Sequence, residues 1–110
     1  MRTITIGKSD LTVPALGVGT WQWGDRGLWG YGTNYGRDEV TGAYRASRDA
    51  GLTFFDTAEI YGNGASETNL GLLAAQDPGP VVIATKFAPL RLTAGTLHGA
   101  LTASLKRLGR

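Results

Sequence analysis

Three short apolar runs, Leu16-Gly17-Val18-Gly19-Thr20, Thr53-Phe54-Phe55-Asp56 and Val81-Val82-Ile83-Ala84-Thr85, begin about thirty residues apart with a helical pattern between each pair. That spacing is the length of a strand–helix–strand unit, so it predicts a parallel sheet with right-handed crossovers. In the first connection Val40, Ala43, Tyr44 and Ser47 follow helical periodicity from Asp38, with Gly51 as the stop. In the second, Ser66 reads as the N-cap of a helix through about Gln76, with an apolar face of Leu70, Leu73 and Ala74, and Asp77-Pro78-Gly79-Pro80 breaks the chain. The β-branched run after that break suits a strand covered on both faces. A last helix starts at Thr93 or Thr96, with a stripe of Leu97, Ala100, Leu101, Ser104, Leu105 and Leu108 and a stop at Gly109. Ahead of these units, Thr3-Ile4-Thr5-Ile6, a turn at Gly7-Lys8-Ser9-Asp10 and Leu11-Thr12-Val13-Pro14 read as a hairpin. The fold class is therefore α/β: a hairpin plus about three βα units. The chain stops after a helix, where a further strand is expected. Residues 1–110 thus read as an incomplete domain with two open sheet edges, prone to self-association.

With 110 residues the chain fits one modest core. No apolar stretch is long enough to span a bilayer, and Met1-Arg2-Thr3-Ile4-Thr5-Ile6 lacks the core of a signal peptide. Without cysteine there is no disulfide, thiolate metal site or cysteine nucleophile. A cytoplasmic location is the default expectation. A net charge of +2 from scattered basic residues argues against nucleic acid as a partner. Asp25, Glu59 and His98 lack metal-ligand spacing, so no metal is expected. Glycine, 17 residues, gathers in residues 17–36 and 62–71, which marks functional loops between regular elements.

The chemistry concentrates at two strand ends. Asp56 ends the second run, Lys86 follows the third, and Tyr61 lies in the loop just beyond Asp56. The carboxyl ends of parallel strands form the rim where α/β proteins place ligands. An ammonium beside a phenol favours the phenolate, and a carboxylate keeps the ammonium charged and in place. Together they make a proton donor for an oxygen that gains charge, as when hydride reaches a carbonyl. No side chain supplies hydride, so a reduced nicotinamide or flavin would have to. A plainer reading stands beside this one: Asp56 as a cap or turn former, Tyr61 as a half-buried loop aromatic, Lys86 as a strand-end charge.

Phe55-Asp56-Thr57-Ala58-Glu59-Ile60-Tyr61-Gly62, followed by Ser66-Glu67 and Leu70-Gly71, resembles the signature of the aldo-keto reductases. Leu16-Gly17-Val18-Gly19-Thr20-Trp21 resembles that family's first barrel strand, Ile83-Ala84-Thr85-Lys86 its third, and the hairpin the one that closes the barrel bottom. The resemblance implies part of a (β/α)8 TIM barrel that uses NADPH, less often NADH, to reduce small aldehydes and ketones to alcohols. It implies Tyr61 as proton donor, Lys86 as the cation that makes it more acidic, and Asp56 as the partner of Lys86. It also places Thr20, Trp21 and Asp56 at the cofactor. Trp21-Gln22-Trp23-Gly24-Asp25 through Trp29-Gly30-Tyr31-Gly32 is similar to a subgroup that includes plant and cyanobacterial pyridoxal reductases. The family's fourth catalytic residue, a histidine after the fourth strand, is expected beyond Arg110, and so are most nicotinamide contacts. The chain alone is accordingly expected to be inactive. The alternative is a non-catalytic fragment that serves as a binding or assembly module, or the product of a disrupted gene.

Other signals are weaker. Gly17-Val18-Gly19-Thr20-Trp21-Gln22 lacks the third glycine of a dinucleotide fingerprint, and Gly62-Asn63-Gly64-Ala65-Ser66-Glu67 ends in a carboxylate that would repel a pyrophosphate. Glu67 has two readings, a first-turn residue favoured by the helix dipole or a rim contact. Trp29, Tyr31 and Tyr35 either pack over the rim or wall a substrate pocket. His98 reads as an exposed helix residue.

Overall fold

The computed structural model describes residues 1–88 and 93–110. β1 (Thr3–Thr5) and β2 (Thr12–Pro14) form the expected antiparallel hairpin. Its turn is closed by Ser9, whose N–H and hydroxyl both donate to the Ile6 carbonyl, at 3.0 and 2.6 Å. β3 (Val18–Gly19), β4 (Phe54–Asp56) and β5 (Val82–Ala84) form a parallel sheet in that order. Asp56 stands opposite Gly19 on one side and Ala84 on the other. Among the described residues three helices follow the parallel strands: α1 (Arg37–Asp49), α2 (Ala65–Ala75) and α3 (Thr96–Leu108). The fold is α/β, and among the described residues the sheet does not close. No helix among them is long and apolar enough to cross a membrane.

Alternation along β4 decides what faces what. Phe55 is fully buried and meets Val40 and Tyr44 of α1, Leu70 of α2, Trp23, Val81 and Leu108 in one core. Its ring stacks on Tyr44, with centroids 5.1 Å apart, and lies tilted against Trp23 at 6.0 Å. Such aromatic pairs add about 0.5–1.5 kcal/mol beyond their buried area. Phe54 and Asp56 therefore share the opposite face. Right-handed crossovers put the helices on the Phe55 side, and β5 is half-buried instead of covered on both faces.

Two helix readings are corrected. Ser66 is not an N-cap: a 3-10 turn over Tyr61–Gly64 leads into α2, Gly64 caps it, and Ser66 lies inside the helix, fully buried. The α3 stripe divides. Ala100, Ser104 and Leu108 are buried, whereas Leu97, Leu101 and Leu105 are 50, 50 and 39% exposed. Two of the three buried residues, Ala100 and Ser104, are small, and α2 and α3 approach closely. A methyl group on Gly71 would lie 2.6 Å from the Arg107 carbonyl oxygen and 2.8 Å from the Leu108 backbone. Alanine is the better helix former by about 1 kcal/mol, but overpacking against backbone costs about 1–3 kcal/mol. With backbone only 2.6 Å away the upper end of that cost applies, so Gly71→Ala is expected to lower the unfolding free energy by up to about 2 kcal/mol in a urea titration; an unchanged midpoint would mean that the helices part readily.

The break after α2 is pinned to α1. The Asp77 carboxylate accepts from Arg48 Nε at 2.6 Å, Tyr44 Oη at 2.8 Å and the Gly79 N–H at 2.8 Å. Arg48 first, then Gly79 and Tyr44, hold its carboxyl well below the usual carboxylate range. Burial, and then Asp77, push the Tyr44 phenol up to about 12. The depressed carboxyl stabilises the fold above an ordinary aspartate pKa and loses that contribution as pH falls. The raised phenol stabilises it below an ordinary tyrosine pKa, near 10, and loses that as pH climbs towards 12. Asp77→Asn is expected to flatten the acid limb of a stability–pH curve below about pH 4; an unaltered limb would remove this cluster as its cause.

Candidate active site

Backbone pairing continues past the strand ends and carries the site residues with it. The Thr20 N–H donates to the Asp56 carbonyl (3.0 Å), Thr57 N–H to Ala84 (2.8 Å) and Glu59 N–H to Lys86 (3.2 Å). Asp56 and Lys86 are thereby held on adjacent strand ends. The 3-10 turn then folds Tyr61 back over them. Its Gly62 has φ +61°, and a methyl group there would sit 2.6 Å from the Gly24 carbonyl oxygen, so this turn needs glycine on both counts.

Lys86 is the centre of the rim. Its Nζ donates to Asp56 Oδ2 and Oδ1 at 2.8 and 3.0 Å, to the Thr57 carbonyl at 2.7 Å and to Tyr61 Oη at 3.4 Å. An ammonium has three protons, and here three groups accept them. The same Nζ lies 4.9 Å from the centre of the Tyr61 ring. Burial by itself would lower the Lys86 ammonium, but its bonds to Asp56 and Tyr61 and their charges together hold it above the usual lysine value. The Lys86 and Asp56 side chains are 49 and 44% exposed, so this pair faces solvent. Asp56, Tyr61 and Lys86, separated in sequence, thus meet on one rim.

Trp21 forms the next wall. Its indole stacks on Tyr61 with centroids 5.5 Å apart and planes 19° apart, and Trp29 stands edge-on to it at 5.8 Å. Thr20 lies inside: its side chain is fully buried, and its hydroxyl donates to the Asp56 carbonyl at 2.9 Å. Sequence reasoning missed two participants. Thr57 acts through its carbonyl, which any residue possesses, so nothing in the sequence marks it. Asp25 accepts the Trp21 indole N–H at 2.9 Å and the Leu28 N–H at 2.8 Å. The signal for Asp25 was a carboxylate four residues after a tryptophan in a glycine-rich loop.

Glu67 belongs to the framework and not to the rim. It is fully buried; Oε1 accepts from Arg107 Nε and Nη2 at 2.8 and 2.7 Å, and Oε2 from the Thr85 hydroxyl at 2.9 Å. Arg107 reaches it across Gly64, where a methyl group would lie 2.8 Å from Arg107 Cδ. Tyr31 and Tyr35 pack against the core, while Trp29 stays 41% exposed beside Trp21. His98 is exposed on α3. Among the described residues no group of three or more potential metal ligands comes together.

A sequence model of the aldo/keto reductase family matches residues 15–110. The chain belongs to that family. The chloroplastic pyridoxal reductase of Arabidopsis thaliana is 43% identical over 110 aligned residues, which cover 89% of this chain and 30% of that protein. An uncharacterised oxidoreductase of Mycobacterium tuberculosis is 41% identical over 96 residues, 87% of this chain and 29% of that one. Among solved structures, an aldo-keto reductase from Klebsiella pneumoniae in complex with NADPH superposes with a TM-score of 0.72 at 35% identity, covering 89% of this chain and 32% of that one. The chain therefore spans about 30% of the length of the curated relatives it matches. Its elements are those of part of a (β/α)8 barrel, as the resemblance implied.

Proposed function

We propose that residues 1–110 form the amino-terminal part of a reductase barrel and contribute the proton-donating side of NADPH-dependent reduction of aldehydes and ketones. The observation that carries this reading is the Lys86 ammonium, held by Asp56 and Thr57 and donating to Tyr61 Oη. The residues fit part of a reduced nicotinamide nucleotide: the half-exposed Asp56 carboxylate suits ribose hydroxyls, and the exposed Trp21 indole suits a flat ring. Thr20 takes its part indirectly, by fixing the Asp56 peptide. Such a cofactor supplies the hydride.

The protein's own contribution is a proton. As the carbonyl carbon gains hydride and the C=O π bond opens, its oxygen takes the proton from Tyr61 Oη. The phenolate that remains lies beside the Lys86 ammonium, in hydrogen-bond contact and without rearrangement. Asp56 keeps the ammonium in place and is not itself a proton donor in this scheme.

By itself the chain is proposed to turn over no carbonyl. A second reading, an assembly module, draws on one observation: the exposed row of Leu97, Leu101 and Leu105 along α3. One experiment separates the two. Residues 15–110 replace the aligned segment of the Arabidopsis reductase, and aldehyde-dependent oxidation of NADPH is followed for the graft and for the isolated chain. Turnover by the graft alone is expected. A graft that folds and binds NADPH but reduces nothing would overturn the catalytic reading in favour of the module.

A further inference from the structure

Behind the rim, on the side away from solvent, lies a cluster of three hydroxyls: Thr20, Thr57 and Ser66, each fully buried. Ser66 is its hub. Its Oγ donates to the Thr20 carbonyl at 2.6 Å and contacts Thr57 Oγ1 at 2.8 Å and Thr20 Oγ1 at 2.9 Å. Thr20 Oγ1 donates to the Asp56 carbonyl at 2.9 Å. Each hydroxyl brings one proton, so three protons serve these four contacts. With Ser66 donating to the Thr20 carbonyl and Thr20 to the Asp56 carbonyl, Thr57 donates to Ser66. The direct Thr20–Ser66 contact is then left without a proton of its own. In that arrangement each proton serves one contact, and Ser66 accepts from Thr57 while donating to Thr20.

This cluster grips one peptide, the link between Asp56 and Thr57. Thr20 holds the Asp56 carbonyl through both its N–H and its hydroxyl. Ser66 holds the Thr57 side chain, while the Thr57 N–H is tied to Ala84. From the other side the same two residues supply two of the three groups that accept protons from Lys86: the Asp56 carboxylate and the Thr57 carbonyl, the latter in the shortest of its contacts. We propose that Ser66 is a positioning residue of the candidate active site, the hub of a buried hydroxyl cluster that fixes the two acceptors holding Lys86 and thereby sets the ammonium against Tyr61. The inference rests on reading Tyr61 and Lys86 as the proton-donating pair.

A purely structural role would only tie α2 to the strand ends, and the state of Lys86 tells the two apart. The chain has three lysines, Lys8, Lys86 and Lys106, so Lys8 and Lys106 are internal references. The full chain is treated with limiting amine-acylating reagent at pH 8.5, where only the unprotonated amine reacts, and labelling is read by peptide mass spectrometry. In Ser66→Ala, Lys86 is expected to label about threefold faster relative to the other two, as its hold on the proton loosens by roughly half a pH unit. Thr57→Val, which removes the hydroxyl but keeps the carbonyl, is expected to do the same and decides the matter if Ser66→Ala does not fold. Thr68→Val is the control: it deletes a hydroxyl bond to the Gly64 carbonyl on the same helix, outside the cluster, and is expected to leave Lys86 unchanged. Folded Ser66→Ala and Thr57→Val chains that label Lys86 at the wild-type ratio would overturn the inference. So would an equal rise in Thr68→Val. Failure of the catalytic reading is a different result, turnover that does not need Tyr61, and it leaves the labelling ratios as they are.

Discussion

Arg107→Met is expected to lower the unfolding free energy of the chain by about 3–5 kcal/mol. The substitution keeps a long apolar stem over Gly64 but removes both donors to Glu67 Oε1, leaving a fully buried carboxylate with the Thr85 hydroxyl as its remaining partner in the described network. The cost comes from the charge left behind more than from the bond lost, because a desolvated carboxylate without a counter-charge is far from its water reference state. Removing both charges should therefore be milder than removing one. In a denaturant titration, Glu67→Gln with Arg107→Met is expected to recover at least about 1 kcal/mol over Arg107→Met alone. A single variant as stable as wild type, or a double variant worse than the sum of its parts, would show that Arg107 does not neutralise Glu67.

Tyr61→Phe, made in the grafted reductase, is expected to lower kcat by about 10²–10⁴. The substitution is narrow: the ring that stacks on Trp21 stays, and the oxygen that receives a bond from Lys86 goes. That factor corresponds to roughly 3–5 kcal/mol of barrier, the amount assigned to having a positioned acid when the carbonyl oxygen gains charge. Since the phenol proton matters only as that charge develops, KM should stay within about twofold and NADPH binding, read by cofactor fluorescence, should not change. Turnover that survives the substitution would place the proton source elsewhere, with Tyr61 reduced to an aromatic wall.

The legible and the illegible parts of this molecule differ in kind. Element order, the parallel direction of the strands and the meeting of Asp56, Tyr61 and Lys86 follow from strand ends, and strand ends are marked locally by apolar runs that stop. The division of α3 was missed, because six positions share its apolar stripe and packing against the rest of the fold, including the close approach of its Arg107–Leu108 backbone to Gly71, buries Ala100, Ser104 and Leu108 alone. A signal existed: Gly71 one turn after Glu67, and small residues one turn apart on α3, are what two helices need to touch backbones. Ser66 was misread for a related reason. A serine at the head of a helix is ordinarily its cap, but the glycine turn at Tyr61–Gly64 starts the winding early and swings that hydroxyl inward. Glu67 was open to two readings because a first-turn carboxylate gains from the helix dipole whichever way it points.

Glu67 and Arg107 are forty residues apart in the chain. At ribosomal rates of about 5–20 residues per second, the carboxylate emerges roughly 2–8 s before the guanidinium that neutralises it. Until then Glu67 has no guanidinium to pair with, so the ion pair that ties α2 to α3 forms only once α3 has been made.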